Sequence, residues 1–249
     1  MKRRTGLIGL LAVMLIVSGC LSQSTERPRE NSVTAAELQT MLRGDNPPRV
    51  IYTGSLLEWR DAHLPLSRCV PCDDPEGTLH FLEGDRRTQR VLYGNGPLSR
   101  ETCPVLAELN RGAKQPLVYV LSGGLKAWKQ GGFATVSEER IPRLPVPGIS
   151  KDTFKTYNQM AKKPLLLDIR SDVAVRSRPI PGALHIPMTR LHEHYGDIPL
   201  DRQVVVVDED GTRSLLAAGY LLRKGISVTA RLRGGCKTLF PARAEGGNR

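Results

Sequence analysis

The sequence predicts an α/β protein made of two tandem domains, each a small parallel sheet with helices on both faces. Short apolar strands alternate with helical stretches along most of the chain, which is typical of parallel sheets. The 249 residues, 40% of them hydrophobic, suit one large or two ordinary globular domains. The second half repeats the order of features in the first, and a segment with three closely spaced prolines, residues 137–148, separates the halves.

The N-terminus predicts export and anchoring. Residues 1–19 join a basic start to the run "GLIGLLAVMLIV", which is short for a membrane span and typical of a signal peptide. The following "VSGC" resembles a bacterial lipobox, which implies cleavage before Cys20 and its lipidation with acyl chains such as palmitate. Residues 20–32, which are mostly polar, are predicted to form a lipidated flexible tether. Because Leu21 rather than aspartate follows the cysteine, we expect the outer membrane of a Gram-negative cell, with an ordinary signal peptide or signal anchor as the alternative.

The charge balance limits the partners. The formal net charge is +11, or about +8 without the three basic residues of the predicted signal peptide. A basic surface favours anionic lipid, an acidic protein partner or a small anion. We expect no nucleic acid, because no basic run is interleaved with aromatic residues and the chain carries an export signal.

The first domain is predicted over residues 33–136. Thr34 to Glu37 has the spacing of a capping box and marks a helix start. The strand "RVIYT", the proline-punctuated "LPLSRCVPC", the strand and loop "RVLYGNGPLSR", and the strand with a double glycine "LVYVLSGGLKAW" follow in order. Each strand ends at a loop, and in parallel sheets ligands collect at such carboxyl ends.

The second domain is predicted over residues 149–241, before a polar tail at 242–249. A helix start near Ser150 leads to the strand "PLLLDI", which contains Asp168. The segments "IPGALHIPM", "VVVVDEDGTRS" and "VTARLRGGCKTLF" then match the first half in order. "IPGALHIPM" aligns without a gap with "LPLSRCVPC".

These segments carry a family resemblance. "DIRS", "IPGALHIP", the loop pattern "DxxGxRS" and the last double glycine together resemble a rhodanese domain. The first half is similar but degenerate, keeping "HLP", the double glycine and Trp128. The resemblance implies tandem rhodanese-like domains and a sulfurtransferase loop of six residues. In active members a cysteine opens that loop and carries sulfane sulfur, held by backbone N–H groups and the next helix N-terminus.

The second-domain loop departs from that pattern at its first position, which is Asp208. We interpret the segment as a degenerate active-site loop formed by Asp208, Glu209, Asp210, Gly211, Thr212 and Arg213. A carboxylate cannot form a persulfide, so we expect Asp208 to fill the ring of amides as a structural plug. A cation site is the weaker alternative, because three adjacent carboxylates converge poorly on one metal. We expect no metal and no cofactor.

The first-domain loop also lacks the cysteine. It is formed by Gly94, Asn95 and Gly96, with Arg100 as the candidate cation at its end. Two interpretations stay open. The loop is either a decayed glycine turn or a cradle whose amides bind a small oxyanion of sulfur or selenium.

Three other cysteines are candidates for displaced sulfur chemistry. Cys236 follows the second double glycine, where the first domain has Leu125, so it is either a moved nucleophile or a buried apolar residue. Cys69 and Cys72 have the spacing of a redox pair, and the alternative is a structural disulfide that involves Cys103.

Two functional hypotheses follow. The first is an envelope-anchored, non-catalytic binding or scaffold module, with a protein partner from a redox or sulfur-handling system. The alternative is an enzyme that transfers sulfur, or handles a sulfur or selenium oxyanion, through Cys236 or the pair Cys69 and Cys72. A third and weaker hypothesis is anion binding at the glycine loop around Gly94.

Overall fold

The computed structural model describes residues 31–73, 75–83, 88–100, 102–107, 118–160 and 162–240. The predicted signal peptide, nearly all of the predicted tether and the polar tail lie outside these residues. Over the described ranges, no helix is both long and apolar enough to span a membrane.

The first sheet contains five parallel strands in the order β1-β5-β4-β2-β3. The strands are β1 (Ser32–Val33), β2 (Arg49–Tyr52), β3 (Arg68–Cys69), β4 (Arg90–Tyr93) and β5 (Val118–Leu121). The helices are α1 (Ala35–Met41), α2 (Leu56–Asp61), α3 (Pro75–Glu83) and α4 (Gly124–Gln130), with a 3-10 turn at Pro104–Ala107.

Both early helices of this domain begin at capping boxes. The box predicted at Thr34 and Glu37 is confirmed, because each of the two side chains accepts from the other residue's backbone N–H. A second box joins Ser55 and Glu58 at the start of α2. That second box also buries a carboxylate, since Glu58 is only 3% exposed.

The second sheet repeats the first with the strand order β6-β10-β9-β7-β8. Its strands are β6 (Gly148–Ile149), β7 (Leu165–Asp168), β8 (Leu184–His185), β9 (Val204–Val207) and β10 (Val228–Leu232). Its helices are α5 (Lys151–Gln159), α6 (Asp172–Ser177), α7 (Leu191–His194) and α8 (Ser214–Arg223), with 3-10 turns at Tyr195–Asp197 and Cys236–Thr238. All its strand pairs are parallel, so the predicted α/β class with two parallel sheets is confirmed.

The internal repeat holds residue by residue at the edge strands. Cys69 pairs with Tyr52 across β2 and β3, as His185 pairs with Asp168 across β7 and β8. The ungapped alignment of the two proline-rich segments is therefore correct in three dimensions.

The centre of the second domain is apolar on both faces of its sheet. The four valines of β9 are fully buried, as expected for a central parallel strand covered by helices. Leu57 from α2 of the first domain belongs to the apolar cluster that also contains Leu216 and Tyr220 of α8. The two domains therefore share a hydrophobic contact.

The proline-rich linker is held by specific contacts. Residues 137–147 form no helix or strand, yet Ile141 and Val146 are buried in the second-domain core. Asp61 at the end of α2 accepts a hydrogen bond from the Ile141 N–H at 2.9 Å and pairs with Arg143 at 2.6 Å. The linker thus fixes the first domain against the second.

Candidate functional site

The loop between β9 and α8 closes around the side chain of Asp208. Its Oδ1 accepts from the Gly211 N–H at 2.9 Å, and its Oδ2 accepts from the N–H groups of Arg213 and Ser214 at 2.7 and 3.0 Å. The last two amides belong to the start of α8. The carboxylate therefore lies where a helix N-terminus and a turned loop both present N–H groups, and it is 1% exposed.

Burial opposes the charge on this carboxylate. Burial raises the pKa of Asp208, and the hydrogen bonds from Arg213, Ser214 and Gly211 act in the opposite direction. The three N–H groups provide the compensation that a buried carboxylate needs.

The double glycine lets the loop and the segment after β10 come into contact. Gly235 has a φ of 63°, and a Cβ there would lie 2.5 Å from the Asp210 nitrogen. In the first domain Gly124 packs in the same way against the carbonyls of Gly94 and Gly96. The double glycine is therefore required by close backbone approach in both domains.

The other two acidic residues of the loop turn away from Asp208. Asp210 accepts from the N–H and hydroxyl of Thr212, while Glu209 lies 3.9 Å from Arg170. Arg170 itself forms a buried bidentate pair with Asp168. The three loop carboxylates thus diverge, and the described part of the chain contains no cluster of three or more side chains suited to a metal.

The loop's arginine is engaged by the first domain. Arg213 Nε lies 3.1 Å from Oε1 of Glu58, which raises the Arg213 pKa. The same oxygen accepts from Asn95 Nδ2 at 2.6 Å, and Glu58 Oε2 accepts from Ser55 at the start of α2. One buried carboxylate therefore connects the two loops. Sequence reasoning missed Glu58, although the spacing of Ser55 and Glu58 signals a helix start.

The loops of both domains face a shared polar cleft of about 160 Å³. Asn95 and Lys129 line it from the first domain, and Thr212 and Arg213 line it from the second. The carboxyl edges of the two sheets therefore point towards each other. Neither Cys69 nor Cys236 is among the lining residues.

The first-domain loop packs against its own side chains. A Cβ on Gly94 would lie 2.8 Å from Leu98 Cδ2, so that side chain fills the space beside the glycine. Ser99 and Thr102 bond each other's N–H groups through their hydroxyls. A short 3-10 turn follows, where the second domain has α8. Asn95 and Arg100 are solvent-exposed, and both interpretations of this loop, a decayed glycine turn or an oxyanion cradle, stay predictions.

The structure contradicts a redox pair of Cys69 and Cys72. Cys72 forms a disulfide with Cys103, with a Cα–Cα distance of 5.0 Å. Cys69 is a free thiol whose Sγ lies 3.6 Å from the Gly54 carbonyl oxygen. Cys69 packs on the cluster that contains Tyr52, whereas the disulfide packs in a separate cluster. The two cysteines therefore turn to different parts of the core.

Neither free thiol has the surroundings of a nucleophile. Cys236 is 2% exposed and packs in the second-domain core, with its N–H donating to the Asp208 carbonyl at 2.7 Å. Burial raises the pKa of Cys236 to about 11 and that of Cys69 to about 12. Both side chains therefore remain thiols at neutral pH. For Cys236, this fits the interpretation as a buried apolar residue.

We expect both thiols to resist alkylation in the folded protein. At pH 8 their thiolate fractions are on the order of 100-fold or more below that of an exposed cysteine, and burial slows access further. On protein that starts after Cys20, iodoacetamide followed by intact mass should show no adduct in the native state and two adducts after unfolding without reductant. Rapid native labelling of Cys236 would contradict this interpretation.

The fold and the loop define a class of α/β domain that carries an anion-holding loop at the carboxyl edge of its sheet. Comparison of the sequence with known proteins finds a similar family. Residues 153–239, most of the second domain, match the model of the rhodanese-like domain family. A sulfurtransferase of Allochromatium vinosum is 39% identical over 71 residues, which are 28% of this chain and 66% of that protein. The matched segment thus spans slightly less than two thirds of that relative.

Two solved structures align with this chain. A thiosulfate sulfurtransferase from Pseudomonas aeruginosa aligns over 84% of this chain and 42% of its own, with 20% identity and a TM-score of 0.40. A rhodanese-like domain protein from Staphylococcus aureus aligns over 37% of this chain and 90% of its own, with 25% identity and a TM-score of 0.36.

Proposed function

We propose that this protein is a rhodanese-like binding module that does not transfer sulfur. The observation that carries the proposal is the Asp208 carboxylate, which accepts three backbone N–H bonds in the loop where active family members hold sulfur. Those amides are already satisfied by an internal anion. The loop therefore acts as a closed structural turn.

The chemistry of the loop supports this proposal. Sulfur transfer through a persulfide needs a thiolate that attacks the donor sulfur, and a carboxylate oxygen cannot take that part. The charge of Asp208 also repels an anionic donor such as thiosulfate. The remaining thiols, Cys69 and Cys236, have raised pKa values and do not line the cleft; Cys236 is buried and Cys69 is half-buried.

We further propose that the module works in the cell envelope, anchored through Cys20. A disulfide between Cys72 and Cys103 fits an oxidising compartment. The lipobox-like "VSGC" supports an anchor, and the absence of aspartate after Cys20 supports the outer membrane. The basic surface favours an acidic protein partner, drawn from a redox or sulfur-handling envelope system.

The test is a sulfurtransferase assay on the purified protein, with thiosulfate as donor and cyanide as acceptor. We expect no thiocyanate and no gain of one sulfur atom in the intact mass, while an active sulfurtransferase assayed in parallel gives both. Thiocyanate production that disappears in Cys236→Ser or in Cys69→Ser would instead establish an enzyme with a displaced nucleophile.

A further inference from the structure

We propose that the amino edge of the first sheet lies against the membrane and that Leu66 inserts its side chain among the lipids. The inference rests on the anchoring part of the proposed function. It adds a second membrane contact, made by the folded domain itself.

Leu66 is unfavourable for the isolated fold in two ways. Its side chain is 89% exposed, and its φ of 61° lies in the left-handed region that residues with a Cβ seldom adopt. The internal repeat supplies the comparison. The matching position in the second domain is Gly182, with a φ of 73°, and glycine adopts this conformation without strain. The first domain therefore keeps an exposed leucine where its own repeat has the residue that the turn favours.

The topology places Leu66 on the side where the tether enters. All five strands of the first sheet are parallel, so their amino ends share one edge. Leu66 precedes β3 by two residues, and Asn31 directly precedes β1. Ten residues separate Cys20 from Asn31, and the eleven Cα–Cα steps span at most about 40 Å. A lipid on Cys20 would therefore hold this edge close to the bilayer.

The opposite edge is not available to a membrane, and the charge of the amino edge suits one. The carboxyl edge of the first sheet faces the second domain across the cleft, where Glu58 meets Arg213. At the amino edge, the exposed Arg49 and Arg68 begin β2 and β3. Cations beside an inserted apolar side chain suit an anionic lipid surface.

The test uses the full chain reconstituted in vesicles of phosphatidylethanolamine and phosphatidylglycerol. Leu66→Cys is labelled with the environment-sensitive fluorophore NBD. Cys236 is buried and Cys69 is half-buried, and the raised pKa of each thiol slows its reaction with the label. The matched control is Leu200→Cys. Leu200 is also highly exposed, at 70%, and lies before β9 at the amino edge of the second sheet, which faces away from the first domain.

The expected result is a several-fold rise in fluorescence at position 66 in vesicles, quenched by brominated lipid, with little change at position 200. An unchanged signal at position 66 in protein that floats with the vesicles overturns the inference but leaves the anchor intact. Equal rises at both positions indicate unspecific adsorption and also overturn it. Failure to float with the vesicles removes the anchor, and the inference fails with it.

A second variant separates membrane contact from a structural requirement. Leu66→Gly relieves the left-handed backbone, so its melting temperature should be equal to or above that of the parent chain. A melting temperature lowered by several degrees would show that the fold itself needs Leu66, and would overturn the argument from strain.

Discussion

Replacing Asp208 by cysteine is expected to give this protein a loop that carries sulfur. The sulfane sulfur of a persulfide at this position would lie near the present carboxylate oxygens, which are 2.7–3.0 Å from the amides of Gly211, Arg213 and Ser214. These N–H groups and the start of α8 would lower the thiol pKa and stabilise the persulfide anion. We expect stoichiometric persulfide from thiosulfate, and thiocyanate formation at least about 100-fold above the parent protein.

The control for this variant is Asp208→Ser, which also removes the carboxylate but offers a hydroxyl that cannot form a persulfide. Both variants lose an acceptor of three N–H bonds, and we expect each to lower the free energy of unfolding by about 1–3 kcal/mol in urea titrations. If the cysteine variant is folded and forms no persulfide, the amide ring is not a competent sulfur cradle.

Access to the loop is a separate requirement. Asp208 is 1% exposed, and Arg213 at the end of the loop is held by Glu58. Adding Glu58→Gln to the cysteine variant weakens that pair and leaves Arg213 available for an anionic donor. The double variant should therefore form its persulfide faster than the single variant, provided that both are folded.

The sequence was most informative where a local rule or the internal repeat applied. Alternating strands and helices predicted the two parallel sheets, because covered parallel strands are near-continuous apolar runs such as the valines of β9. The repeat aligned Cys69 with His185, and the strand pairing has the same register. Asp208 stands before a turn glycine and a helix start, and this position predicted that its carboxylate lies in the ring of amides. The prediction is possible because the N–H groups of the loop and of the helix start converge there.

The sequence was least informative where contacts depend on the path of distant segments. Spacing left two alternatives open for Cys69 and Cys72, a redox pair or a disulfide that involves Cys103. The structure joins Cys72 to Cys103, which is 31 residues away. Leu98 fills the space beside Gly94, and that depends on how the loop folds back. The bond of Glu58 with Arg213 depends on the arrangement of the domains, which no local pattern encodes. Long-range contacts of this kind set the chemistry of the cleft.

Opening the disulfide between Cys72 and Cys103 is expected to destabilise the first domain strongly. The bond closes a loop with a sequence separation of 31, and the chain-entropy model gives about 3–4 kcal/mol for such a loop. The crosslink also holds a cluster with Leu79 and Val105, in the region where the second domain has the buried helix α8. The disulfide thus stabilises the packing of this cluster.

The measurement is urea unfolding of Cys72→Ala/Cys103→Ala and of the parent chain with and without dithiothreitol. Cys69→Ala is the matched control, because it removes a cysteine of the same segment that forms no crosslink. We expect dithiothreitol to destabilise the parent chain and the control, and to leave the double variant unchanged. Equal midpoints for the oxidised parent and the double variant would show that packing alone holds the loop.

The disulfide is also connected to the contact between the domains. Because the Cys103 N–H donates to the Ser99 carbonyl in the loop that contains Asn95, loosening the crosslink should also weaken the contact of Asn95 with Glu58. An oxidising environment would then be a condition for keeping the two loops facing each other, as well as for the stability of the first domain.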